Sequence, residues 1–180
     1  MADLNRQMAK VVSQKVDYVT VPLGANDACT PSVSTMTSVA AFRRSLDTAL
    51  GTLSTSLPDA KVGLISVPNI YRLWSVAHTN RAAASTWNAF KICQSMLDVP
   101  TSTAQADVQR RARVLQRVVD FNTQLAQACV AYGSNCADDG DAVFDDQFTL
   151  SQISAWDYFH PNTSGQAALA SVSFPNAFGW

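Results

Sequence analysis

The segment Val16-Asp-Tyr-Val-Thr-Val-Pro-Leu23 is a near-continuous apolar, β-rich run that halts at Gly24. That pattern suits a strand covered on both faces, as strands of parallel sheets are. Helical patterns flank it. Residues 3–14 set Leu4, Met8, Val11 and Val12 on one stripe, which predicts an amphipathic helix ahead of the strand. After a Ser/Thr-rich loop, Thr37 or Ser38 can cap a helix carrying Val39, Phe42, Leu46, Leu50 and Leu53 on one side. Lys61 to Val67 reads as a second buried strand, ended by Pro68. Strands alternating with helices imply a parallel α/β sheet.

The rest of the chain extends the pattern unevenly. Residues 69–103 are aromatic and irregular, with a helix expected around 81–95. The strongest helical signal covers 104–131, with Val108, Leu115, Val118, Val119, Leu125 and Cys129 on its inner stripe. Arg110, Arg113 and Arg117 share another face, which reads as a solvated face before an anion site. Ala142-Val-Phe144 is the expected third strand, and Asn162, Thr163 or Ser164 can cap a last helix containing Ala167, Ala168 and Leu169. Only three strands can be counted, which is few for a sheet of this kind.

Bulk properties narrow the function classes. A chain of 180 residues with 47% hydrophobic and 15% charged residues suits one compact domain, expected over 1–180. A net charge of -1 offers no electrostatic footprint for nucleic acid or an anionic membrane. No apolar run reaches bilayer-crossing length, and the polar start Met-Ala-Asp-Leu-Asn-Arg is not a secretory signal.

The four cysteines, Cys29, Cys93, Cys129 and Cys136, form no Cys-x-x-Cys pair, and His78 and His160 make no zinc-finger spacing. An even count in a chain with few charges suits two disulfides in an exported protein; four reduced core thiols are the alternative. Cys129 and Cys136 are close enough for a local clip, which leaves Cys29 with Cys93, a pairing that sequence alone does not prove.

Ligands of open α/β sheets bind beyond the carboxyl ends of the strands, where Gly24-Ala-Asn-Asp27 lies. Gly24 allows a tight turn, and Asn26 offers an amide that can donate to an oxyanion. On its own the tetrapeptide reads as turn chemistry, with Asp27 ordering its own turn. Asp157 and His160 lie after the last strand, in a loop closed by Pro161. An Asp three residues before a His can reach the imidazole Nδ1, fix its tautomer and favour the imidazolium. The alternatives are a purely local hydrogen bond, or metal ligands for which no further His/Asp/Glu cluster completes a site. His78, Tyr71, Trp74, Trp87 and Trp156 could line a pocket, but residues of these types in such loops usually pack or hydrogen-bond.

Taken together, Val19-Thr-Val-Pro-Leu-Gly-Ala-Asn-Asp27, Leu64-Ile-Ser-Val-Pro-Asn-Ile-Tyr-Arg-Leu-Trp74, Ile92-Cys-Gln-Ser-Met96 and Trp156-Asp-Tyr-Phe-His-Pro161 occur in an order that closely resembles the SGNH hydrolases. These are also called the GDSL family, and the likeness is to secreted actinobacterial esterases and lipases over nearly the whole chain. The resemblance implies a three-layer, flavodoxin-like parallel sheet flanked by helices, here lacking its first two strands. It also implies an extracellular ester hydrolase that uses no metal or organic cofactor. Asn26 inherits the oxyanion role, His160 that of general base, and Asp157 that of base-orienting acid. The family's Gly-Asp-Ser nucleophile block and its second oxyanion donor, a glycine, do not precede Gly24; Gly140-Asp141-Ala142 has Ala where Ser is needed. Met1 then reads as an internal methionine or a cloning boundary. The expected partner is an ester substrate, whether lipid, acylated glycan or small ester, and no oligomeric state is assigned. The expectation is an ester hydrolase inactive as it stands. The alternatives are a non-catalytic ester- or glycan-binding module, and a fragment completed by a separate N-terminal piece.

Overall fold

A computed structural model describes residues 3–177; Met1, whose reading as an internal methionine was given above, lies outside them. In chain order the elements are α1 (Leu4–Gln14), β1 (Tyr18–Pro22), α2 (Ala25–Ala28), α3 (Val39–Ser56), β2 (Lys61–Ile65), α4 (Ile70–Ala77), α5 (Arg81–Phe90), α6 (Gln94–Leu97), α7 (Gln105–Tyr132), β3 (Cys136–Asp138), α8 (Ala142–Asp145) and α9 (Thr163–Ala177). The three strands form one parallel sheet in the order β1-β2-β3, with Tyr18 opposite Lys61 and Val62 opposite Cys136.

Side-chain alternation along the strands sorts the core into two layers. Val19, Val21, Val62 and Leu64 join a large cluster with Leu4, Met8, Phe42, Leu46, Val118 and Phe121, from α1, α3 and α7. Ile65 belongs to a small second cluster with Val143, covered by Leu169 and Val172 of α9. Phe42 and Phe121 stack with ring centroids 4.1 Å apart, a contact worth about 0.5–1.5 kcal/mol beyond area burial. The coverage of β1 is one-sided. Val19 and Val21 are buried, whereas Thr20 and Pro22 are exposed and line a groove of about 390 Å³ beneath α9. Among the described residues β1 pairs with one strand, β2.

The third strand is not the one expected. Ala142-Val-Phe144 lies in the short helix α8, and the strand is Cys136-Ala-Asp138. Asp139 explains the exchange: it is buried, and its carboxylate accepts hydrogen bonds from Ser66 N (3.0 Å), Ser66 Oγ (2.8 Å) and Val143 N (3.1 Å). The carboxylate therefore starts a helical turn at the residues that their apolar character assigned to a strand. The inner stripe of α7 differs too. Val108 and Val119 are exposed, and the buried positions include Arg111, Val114, Phe121 and Asn122. Arg111 is 1% exposed because its guanidinium lies 4.3 Å from the Trp74 ring centroid and donates to Ser102 O. Arg110 and Arg117 of the presumed solvated face grip backbone carbonyls instead, Arg110 those of Gln94, Ser95 and Asp98, and Arg117 that of Thr37. The single helix expected around 81–95 is α5 and α6, separated by Lys91 and Cys93 at positive φ.

Both disulfides are present, Cys29–Cys93 and Cys129–Cys136. The first ties the segment after β1 to the start of α6. Next to it, Gly24 adopts φ 116°, and a Cβ there would stand 2.6 Å from Val67 Cγ2. Gly24→Ala combines backbone strain with that clash and is expected to destabilise the chain by about 2 kcal/mol or more, read as a lower midpoint in urea with an unchanged slope.

Candidate active site

Two turns carry the candidate groups. The first follows β1: Gly24 in the left-handed region starts α2, which carries Asn26. The turn is held from several sides. Asp27 is buried, and its Oδ1 accepts from Thr37 Oγ1 at 2.7 Å while its carbonyl accepts from Thr37 N. Ser95 Oγ donates to Ala28 O at 2.7 Å, and the Cys29–Cys93 bridge follows one residue later. Asn26 itself is exposed, and among the described residues nothing accepts from its side-chain amide.

The second turn holds Asp157 and His160. Asp157 Oδ2 lies 2.7 Å from His160 Nδ1, and its Oδ1 accepts from the backbone of Phe159 (2.9 Å) and His160 (3.1 Å). Tyr158, at φ 53°, bends the chain so that these donors converge on one carboxylate. The loop is closed by Ser154 N donating to His160 O and by an antiparallel bridge between Ile153 and Pro161. Trp87 Nε1 donates to Tyr158 O at 3.0 Å. The buried Trp87 ring thus fixes the loop to α5. Asn162 Oδ1 accepts from Gly165 N to begin α9, where any Cβ on Gly165 would overlap the Gln152 carbonyl.

The turns meet at one cavity of about 250 Å³, lined by both Asn26 and His160. Its walls include Pro68, Ile70, Leu73, Phe148, Ile153, Phe159 and Leu169. His160 is mostly open, with its side chain 70% exposed, whereas that of Asp157 is 32% exposed. An imidazole anchored through Nδ1 presents Nε2 outward, as proton transfer to a substrate-side hydroxyl requires. Among the described residues no Ser, Thr or Cys lines the cavity. Gly140 and Asp141, the superficial echo of a nucleophile turn, lie between β3 and α8, outside the cavity lining.

A family model described as GDSL-like Lipase/Acylhydrolase matches residues 1–172. The chain belongs to this family. Comparisons with curated proteins and with solved structures gave no match. Among the described residues, the three parallel strands flanked by helices accord with the α/β architecture of the GDSL type, lacking some of its strands.

Other candidates find their places in this GDSL-like chain. His78 stacks on Trp74, with centroids 4.4 Å apart, and its Nδ1 contacts the Trp74 and Ser75 carbonyls, so it is tied up at the end of α4. Trp74 Nε1 donates to Pro100 O, and Tyr71 tilts against the Trp74 ring. Trp156 is 93% exposed beside Asp157. Among the described residues no group of three or more His, Cys, Asp or Glu is arranged to hold a metal ion. No helix among them is long and apolar enough to cross a membrane.

Sequence reasoning missed α4, although Asn69 capping Ile70, Leu73 and Ala77 at helical spacing was a usable signal. It also missed Asn122, whose side chain accepts from Val67 N at 2.7 Å and donates to Val67 O. That pair holds the cavity wall at Pro68 where strand pairing has ended.

Burial pushes the Asp157 carboxyl up, but the His160 ring and the two backbone N–H groups outweigh it and hold the group below the ordinary carboxylate range. A depressed carboxyl adds stability that is complete above its unfolded pKa, about 3.9, and is lost as pH falls through the folded value. Carbon-detected NMR should find Asp157 titrating below the ordinary carboxylate range in the wild type. In His160→Ala its pKa should rise, because burial persists while the imidazole partner is gone; an unchanged value contradicts the pairing.

Proposed function

We propose that this chain carries the base, orienting acid and oxyanion donor of a carboxylic-ester hydrolase, and that residues outside these 180 supply the nucleophilic hydroxyl. One observation carries the reading: a single cavity is lined by Asn26 and by a His160 anchored 2.7 Å from Asp157, yet among the described residues by no Ser, Thr or Cys. In the proposed reaction a serine Oγ attacks the ester carbonyl carbon while His160 Nε2 takes the hydroxyl proton. Asp157 keeps the Nδ1 proton in place and stabilises the imidazolium. The carbonyl oxygen becomes an oxyanion that accepts from the Asn26 amide. Collapse expels the alcohol, which receives the proton from His160. Water then repeats the cycle on the acyl-serine and releases the acid. The two disulfides support an extracellular setting, where such bridges persist.

The uncovered side of β1 supports seating the missing piece there. A strand of a parallel sheet is ordinarily covered on both faces, but Thr20 and Pro22 face the open groove beneath α9. That groove shares Ala25, Pro68 and Leu169 with the cavity, so the two are continuous. A segment laid along β1 on the side away from β2 would run toward His160. The piece can belong to a longer chain or be a separate polypeptide.

A short-chain chromogenic ester tests this. The 180-residue chain alone should show only residual hydrolysis. Adding the Ser-bearing segment, fused or in trans, should raise the rate by about 10⁴-fold or more, and His160→Ala should abolish the gain. His160-dependent turnover by the chain alone would show that a nucleophile is already present. A complemented protein that stays inactive would remove the ester-hydrolase reading.

A further inference from the structure

Asn26 sits on α2, a single turn of four residues that is too short to hold its own position. Two neighbours set its place. On one side Thr37 N donates to Asp27 O at 3.0 Å and Thr37 Oγ1 to Asp27 Oδ1 at 2.7 Å. On the other, the buried Ser95 donates through Oγ to Ala28 O at 2.7 Å and accepts there from Thr30 N at 3.2 Å. Its own N donates to Thr30 O at 2.8 Å. Neither neighbour is self-supporting, because Thr37 lies in a loop ahead of α3 and Ser95 on α6, another single turn. Both are fastened to α7, a 28-residue helix that buries Val114, Val118, Phe121 and Leu125. Arg117 donates to Thr37 O. Arg110 donates to Gln94 O (3.2 Å), Ser95 O (2.8 Å) and Asp98 O, the open acceptors at the end of α6. Asp107 Oδ1 accepts from the same guanidinium at 3.1 Å. The two arginines lie about two turns apart on one face. Arg113, between them, is exposed and has no hydrogen-bond or ion-pair partner among the described residues.

Resting on the ester-hydrolase reading above, we propose that Arg110 and Arg117 are positioning residues for the Asn26 donor. Each acts through one intermediary, Arg117 through Thr37 and Arg110 through Ser95, so that α7 fixes both flanks of the Asn26 turn. An oxyanion donor stabilises developing charge only when it is held in place beforehand, and a misplacement of about 1 Å costs on the order of 100-fold. His160 does not depend on these arginines, since its turn is closed by Asp157 and fixed to Trp87 of α5. The two contacts also differ from each other. Arg117 uses one nitrogen on one carbonyl, a bond that a lysine ammonium can replace. Arg110 spans three carbonyls with its planar fork, which a lysine cannot do.

The test titrates the isotope-labelled 180-residue chain with monoethyl butylphosphonate, a monoanion shaped like the tetrahedral intermediate. Affinity is read at the Asn26 side-chain amide and at the His160 ring. Arg110→Met and Arg117→Met should each weaken binding roughly tenfold. Arg113→Met removes the same charge from the same face and should change binding by less than about twofold. In an Asn26→Ala background, read at His160, neither Met substitution should cause a further loss, because the effect travels through Asn26. Arg117→Lys should recover affinity to within about threefold of the wild type, and Arg110→Lys should not. Losses no larger than that of Arg113→Met, or losses that persist in full in the Asn26→Ala background, would overturn the assignment and leave the ester site standing. Wild-type chain that binds the phosphonate at neither Asn26 nor His160 would remove the ester-site reading together with the inference. If a methionine variant does not fold, the lysine pair decides: an Arg110→Lys chain that binds as tightly as the wild type contradicts the assignment.

Discussion

Parallel pairing of β1 with β2 and of β2 with β3 sends three chain turns off one end of the sheet, and the position of Asn26 and of the cavity wall beside it follows from it. The turn after β1 carries Asn26, the turn after β2 carries Pro68 and Asn69, and the chain after β3 carries Asp139 and then Asp146. Hydrogen bonds of the sheet stop at that end, so buried side chains continue the work of the ladder. Asp139 fastens Ser66 to Val143, and Asn122 fastens Val67. Buried polar groups of this kind are tolerated because they are hydrogen-bonded. They make the cavity wall a fixed surface.

The two halves of the site are held by different means. The Asp157–His160 pair is local: one turn, one carboxylate and three donors within three residues. Asn26 depends on distant residues, through Thr37, Ser95 and the Cys29–Cys93 bridge, which spans 64 positions. Closing so long a loop with a covalent bond restricts the unfolded chain and is worth about 2–4 kcal/mol. Loss of that bridge would therefore displace the Asn26 side of the cavity before the His160 side.

Much of this was legible in the sequence. The apolar runs gave β1 and β2, helical spacing with a Ser cap gave α3, and the ordered turn motifs gave the family and the Asn26, Asp157 and His160 positions. The failures have physical causes. Cys136-Ala-Asp138 is a strand because it pairs with Val62 to Leu64, not because its residues favour one. Ala142 to Phe144 became a helix because a buried carboxylate upstream captured the Val143 N–H. Arg111 sits inside α7's buried stripe because an aromatic ring receives its charge.

The open face of β1 and a cavity lined, among the described residues, by Asn26 and His160 but by no Ser, Thr or Cys are the two observations behind the proposed reaction. The account therefore turns on whether Asn26 and His160 address the same tetrahedral centre. A titration of isotope-labelled chain with a monoanionic alkyl phosphonate ester, which mimics the tetrahedral intermediate without needing a nucleophile, asks this directly. The account predicts that the Asn26 side-chain amide and the His160 imidazole shift together with one dissociation constant, and that Asn26→Ala weakens the binding seen at His160. Shifts confined to one of the two residues, or a His160 response indifferent to Asn26→Ala, would contradict it.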